Sequence, residues 1–130
     1  MILLDTHVWV WWTHGDDHLS ARQAATISQN SQQEIGISIM SCWEIAKLVE
    51  YGRLRLPCSL SEWFDEAFAY PGLVLVPLSP EIILDSVQLP GKFHRDPADQ
   101  LIVATARVYG CRLLSSDSKI IGYPHVEVVS

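Results

Sequence analysis

Basic charge, long apolar runs and paired cysteines are what this chain has least of. Nine Lys and Arg face fifteen Asp and Glu in 130 residues, a net charge of −6. That disfavours a tight nonspecific nucleic-acid binder, which needs a basic face for phosphates. An enzyme acting on nucleic acid is not excluded, because bound divalent ions make an acidic site much less negative. No apolar stretch reaches the roughly 18 residues needed to span a bilayer, so no membrane segment is expected. Asp5 interrupts the first apolar run and no basic segment precedes it. A signal peptide is therefore not expected, and the chain reads as cytoplasmic.

Cys42, Cys58 and Cys111 are widely spaced, with no CxxC pair. An odd count without a secretory leader points to reduced thiols packed as small core residues. His7, His14 and His18 are near one another, but Gly15 breaks the segment. No cysteine pair completes a tetrahedral set, which argues against zinc. Repeats, low-complexity tracts and interdomain linkers are also missing. What remains, 48% hydrophobic and 18% charged, describes one globular domain, large enough to bury roughly two thirds of its unfolded surface.

The pattern along the chain alternates strands with helices. Residues 1–4 are a short continuous apolar run, as in a strand buried on both faces. Thr6 is placed to cap a helix over 7–13, and Ser20 a second over 21–30. Residues 35–39 read as strand two, followed by a helix from Ser41 to about Tyr51, with Gly52 at its exit. A helical pattern covers 60–69, and Pro71-Gly72 is a turn before a strand at 73–76. Ser79 caps a helix over 80–89, and 92–96 is a polar loop. The clearest helix covers 97–109, with Asp96 as N-cap, Pro97 in the first turn and Gly110 at the exit. Strand 112–114, a helical turn at 118–121 and a strand at 126–129 complete the chain. This order predicts an α/β fold with a parallel sheet, whose ligand site lies beyond the strand C-terminal ends.

Four carboxylates sit where those apolar strands give way to loops or helices: Asp5, Glu44, Asp99 and Asp117. Converging acids repel strongly unless a cation holds them, and a hard divalent ion takes oxygen ligands. Each has a structural alternative. Ser41-Cys42-Trp43-Glu44 is a capping-box pattern; Asp96 and Asp99 sit at favoured positions of a helix N-terminus; Asp117 fits an Asx-turn. Asp5, ending an apolar strand, has no obvious cap to make. Asp16 and Asp17 belong to a turn, and Glu62, Asp65 and Glu66 to a solvated helix face. The five tryptophans read as core packing, Trp9 and Trp12 sharing one helix face; an exposed one would suit a protein partner.

The stretches LLDTHVWVWW, SCWEIAKL, HRDPADQLIVATA and LLSSDSKI, in that order, resemble the PIN-domain family, and within it the VapC-type toxins of toxin–antitoxin pairs. The resemblance runs from residue 1 to about residue 121. It implies a single domain over residues 1–130 with a five-stranded parallel sheet flanked by helices. It further implies RNA cleavage dependent on Mg²⁺ or Mn²⁺, a cognate antitoxin and a homodimer. The family's acidic quartet falls on Asp5, Glu44, Asp99 and Asp117 as metal ligands and catalytic groups, with Asp96, Thr6 and Ser115 auxiliary. Ser115 stands where the family often has Thr. Lys92, His94 and Arg95 are candidates to hold flanking RNA phosphates, or else form a solvated basic loop. Two other classes compete. A haloacid-dehalogenase-like phosphatase also begins with an apolar strand ending in Asp, but its second acid would stand where this chain has His7. A catalytically idle binding module would use the acids only as caps.

Overall fold

A computed structural model describes residues 1–30 and 32–130. Five strands, β1 (Ile2–Leu4), β2 (Ile35–Ser38), β3 (Leu73–Val76), β4 (Arg112–Leu114) and β5 (Val128–Val129), form one sheet. Its order is β3-β2-β1-β4-β5, and every pairing is parallel. Among the described residues seven helices accompany it: α1 (Thr6–His14), α2 (Ala21–Gln29), α3 (Ile39–Glu50), α4 (Leu60–Phe68), α5 (Pro80–Val87), α6 (Pro97–Tyr109) and α7 (Ser118–Ile121).

The strands are short and apolar because both faces are covered. Ile2, Leu4, Ile37 and Leu114 join Trp9, Ile45 and Trp63 in one core. Leu3 and Leu113 join Ile102, Val103 and Ile120 in the other. Trp9 is fully buried, edge-on to Trp63 at 4.9 Å between ring centroids. Burying such a side chain contributes about 2–3 kcal/mol. Gly36 lets β2 sit close under its neighbours: a Cβ there would lie 2.9 Å from Met1 Sδ and 3.2 Å from Val76 Cγ2, and both side chains would have to give way.

Register sets the site. Leu4 pairs with Ile37 on one side and Leu114 on the other, so Asp5, Ser38 and Ser115 leave the sheet at one level. From β1 the chain first builds outward to β2 and β3, then returns to place β4 on the other side of β1. The C-terminal edge of β1 and β4 is therefore the topological switch point, where parallel α/β sheets hold ligands.

Several expected boundaries shift, three of them with consequences for the site or the sheet; the others are helix ends, as in α5, which stops at Val87. Helix α1 starts at Thr6, and Asp5 is its N-cap in place of Thr6. Strand β2 ends at Ser38, and α3 starts at Ile39 with Ser38 as cap, its Oγ accepting from Met40 N at 3.1 Å. Ser41 is thus inside the helix. Apolar Ile39 and Met40 extend the strand pattern in sequence, while Ser38 captures the first-turn amide. Finally, only Val128–Val129 of the expected 126–129 strand pair with β4. Among the described residues no helix is long and apolar enough to cross a membrane.

Candidate metal centre

Oxygens of Asp5, Glu44 and Asp99 come within 4.8 Å of one another. They arrive from three segments, brought together by the register of β1 and the packing of α3 against α6 and α1. Asp5 is buried, and both of its oxygens are held. Its Oδ1 accepts from Thr6 N at 2.8 Å, and its Oδ2 accepts from Ser115 Oγ at 2.7 Å. Asp5 therefore does have a cap to make, contrary to expectation, because α1 begins one residue earlier. Glu44 Oε1 lies 2.7 Å from Thr6 Oγ1. It does not close the expected capping box, since Ser41 is no N-cap.

Asp99 occupies the first turn of α6, where the helix dipole favours an ionised carboxylate. Asp96 is the N-cap, as expected, accepting from Asp99 N at 3.1 Å. Asp117 is close enough for its charge to act on all three acids of the trio. It caps α7, its Oδ1 accepting from Lys119 N at 2.9 Å, and its own amide donates to Ser115 Oγ at 3.1 Å.

Electrostatics mark the trio as crowded. Burial pushes Asp5 and Glu44 above the ordinary carboxylate range, against the hydrogen bonds that lower them. Asp99 is raised to about 7, first by burial and then by the charges of Asp96, Asp5, Glu44 and Asp117. Among the described residues no Lys or Arg forms an ion pair with any of the four acids. The nearest basic side chain is His94, whose imidazole Nε2 lies 3.0 Å from Asp99 Oδ2 but off the line of a hydrogen bond. His94 is thus half-buried against the acids, while Lys92 and Arg95 are exposed. Those two, with Gly91, Phe93 and Gln100, line a cavity of about 620 Å³ beside α6.

The donor set fits a hard divalent cation. It is all oxygen, its spacing lies within reach of one ion, and among the described residues no Lys or Arg pairs with it. Carboxylates crowded in this way stay ionised together only when a positive charge joins them; otherwise one takes up a proton. Thiol chemistry does not compete: Cys42, two residues from Glu44, is pushed up to about 11 by burial. The position where a phosphatase would need its second acid holds His7, which is exposed. A separate aromatic cleft of about 340 Å³, lined by Trp12, His14, Trp63, Glu66 and Tyr70, lies toward the opposite end of α1. There His14 is occupied, with Trp63 Nε1 donating to its Nε2 at 2.9 Å.

Ser41, expected as the cap of α3, lies instead inside the helix and beside the acids. It is fully buried, with its Oγ 2.9 Å from Thr6 Oγ1. The available signal was its three-residue spacing from Glu44, which places both on one helix face.

A family model described as the PIN domain matches residues 2–125. Ribonuclease VapC22 of Mycobacterium tuberculosis is 32% identical over 129 residues, covering 99% of this chain and 96% of that protein. A chain from a toxin–antitoxin complex of Klebsiella pneumoniae has a TM-score of 0.67 at 20% identity, covering 100% of this chain and 97% of that one. A chain of VapBC2 from Rickettsia felis, bound to a DNA fragment from its promoter, has a TM-score of 0.68 at 17% identity. There the coverage is 99% and 98%. The two structural likenesses speak for the shared fold.

Proposed function

This chain belongs to the PIN-domain family, in its VapC branch, and on that premise we propose that it is a metal-dependent endoribonuclease and the toxin of a toxin–antitoxin pair. The observation that carries the reading is the trio Asp5, Glu44 and Asp99, clustered at the sheet's switch point with no Lys or Arg paired to it among the described residues. Asp5, Glu44 and Asp99 would hold Mg²⁺ or Mn²⁺, with Asp117 at the rim of the same site. The ion, when bound, lowers the pKa of the attacking water and neutralises charge on the phosphoryl oxygens. Thr6 and Ser115 fix the carboxylates of Glu44 and Asp5, and the free oxygen of Glu44 orients the water. Water adds to phosphorus as the bond to the 3′ oxygen breaks, leaving 5′-phosphate and 3′-hydroxyl ends. Lys92 and Arg95 hold flanking phosphates of the strand, and His94 stays with Asp99.

Cleavage of a mixed RNA pool tests this directly. Single-stranded or loop RNA is expected to be cut with Mg²⁺ or Mn²⁺ present and to survive in excess EDTA. Full activity in EDTA overturns the mechanism.

The partner proposed is a separate antitoxin chain that covers the acidic cleft and brings an Arg or Lys toward the carboxylates. Trp43, adjacent to Glu44 in sequence and 52% exposed, is a suitable anchor for it. Strong expression alone is expected to slow a prokaryotic host, and co-expression of the partner to restore growth. Normal growth with abundant active protein would contradict the toxin role while leaving the nuclease intact. A homodimer completes the reading, supported by the apolar side of α5, where Ile83, Leu84 and Val87 are 46%, 56% and 75% exposed. Sedimentation as a single 14.6 kDa chain at micromolar concentration would rule that out.

A further inference from the structure

We infer that Ser41 is a positioning residue of the metal site, acting through Thr6 to hold Glu44 where a cation can use it. The inference rests on the proposed role of the acids as ligands. Thr6 Oγ1 has two neighbours, Ser41 Oγ at 2.9 Å and Glu44 Oε1 at 2.7 Å. A threonine hydroxyl carries one proton, and an ionised carboxylate can only accept. The Thr6 proton therefore goes to Glu44, so Ser41 donates to Thr6.

Among the described residues no other acceptor is hydrogen-bonded to Ser41 Oγ. Ser41 is 0% exposed and Thr6 1%, and among the described residues Ser41 Oγ has Thr6 as its one side-chain partner. The chain Ser41–Thr6–Glu44 is thus directional, and each link strengthens the next in a buried setting. It also crosses between elements. Thr6 is the first residue of α1, and Ser41 and Glu44 are on α3, three residues apart. Without Ser41, Thr6 can turn its hydroxyl elsewhere, and Glu44 loses a fixed rotamer while keeping its charge. Such outer groups orient the ligand, and removing one commonly weakens metal affinity by about 10–100-fold.

Calorimetric titration with Mn²⁺, with RNA cleavage measured alongside, tests the proposal. Wild-type protein is titrated first: failure to bind Mn²⁺ defeats the ligand reading itself, a result distinct from those below. Ser41→Ala is expected to fold, because Ala suits a helix interior, and to bind Mn²⁺ about tenfold more weakly. The Mn²⁺ concentration for half-maximal cleavage rises in step, with KM for RNA unchanged. Thr6→Val is expected to lose at least as much affinity. The Ser41→Ala, Thr6→Val double variant should match Thr6→Val alone, since Ser41 acts only through Thr6. Wild-type Mn²⁺ affinity in Ser41→Ala overturns the proposal, as do losses that multiply in the double variant. Should Ser41→Ala not fold, Ser41→Cys keeps the volume with a weaker donor; an intermediate loss supports the proposal and wild-type affinity overturns it.

Discussion

Asp99→Asn is expected to abolish metal-dependent cleavage and, without metal, to raise the melting temperature. The substitution keeps the shape and removes one charge from the most crowded position. Asp99 is raised to about 7 by burial and by Asp96, Asp5, Glu44 and Asp117, so its ionised form is the destabilised one. Asparagine imitates the protonated form at every pH. The gain is on the order of 1 kcal/mol, about 4 °C for a domain this size, and is larger at pH 8 than at pH 6. The loss of cleavage should reach about 10³-fold, comparable with losing a major electrostatic group of an active site. Asp96→Ala should do the reverse. Asp96 caps α6 through Asp99 N, so its loss costs about 1 kcal/mol. It leaves the trio intact, and cleavage is expected within about tenfold of wild type, less than the cost of a major electrostatic group. Melting curves and RNA cleavage for both variants decide the assignment. A folded, inactive Asp96→Ala beside an active Asp99→Asn would move the third ligand to Asp96.

The two acids also illustrate what sequence can and cannot carry. The start of α6 was readable because its signals are local: Asp96 as cap, Pro97 in the first turn, Gly110 at the left-handed exit. The start of α3 was not, because Ile39 and Met40 continue an apolar strand pattern, and Ser38 and Ser41 are both good caps. That misplacement hid Ser41 as a buried donor and gave Glu44 a capping role it does not have. The placing of Asp5 and Glu44 on one edge followed from strand ends in a parallel sheet, which is topology and visible in the order of elements; Asp99 follows no strand and joins them through the packing of α6 on α3. The capping of α7 by Asp117, and the turn of His94 onto Asp99, depend on side-chain directions that no spacing encodes. Asp5 shows how roles combine. Capping α1 and joining the trio use the same carboxylate, so a structural duty and a metal site are not alternatives here.

Metal should invert the pH dependence of stability. Asp99 has a folded pKa of about 7 against an ordinary 3.8, and Asp5 and Glu44 shift the same way. Between those values the folded chain binds protons that the unfolded chain releases. Stability therefore falls as pH rises. Asp99's contribution is fully present below about pH 4 and lost above about pH 7. In EDTA, melting temperature is expected to drop by several degrees from pH 5 to pH 8. A divalent ion needs the carboxylates ionised, so its affinity grows over the same range. At free Mn²⁺ a hundred times its dissociation constant, binding adds about 2.7 kcal/mol. That is roughly 10 °C at pH 8, and it shrinks toward pH 5 as protons displace the metal. The two melting series should therefore diverge as pH rises, the EDTA series descending and the Mn²⁺ series level or ascending. Asp99→Asn supplies the control, because removing the titrating group should flatten the EDTA slope and the Mn²⁺ gain together. Parallel slopes with and without Mn²⁺ in the wild-type protein would mean that the acids titrate without holding the ion, and the metal centre would have to be abandoned.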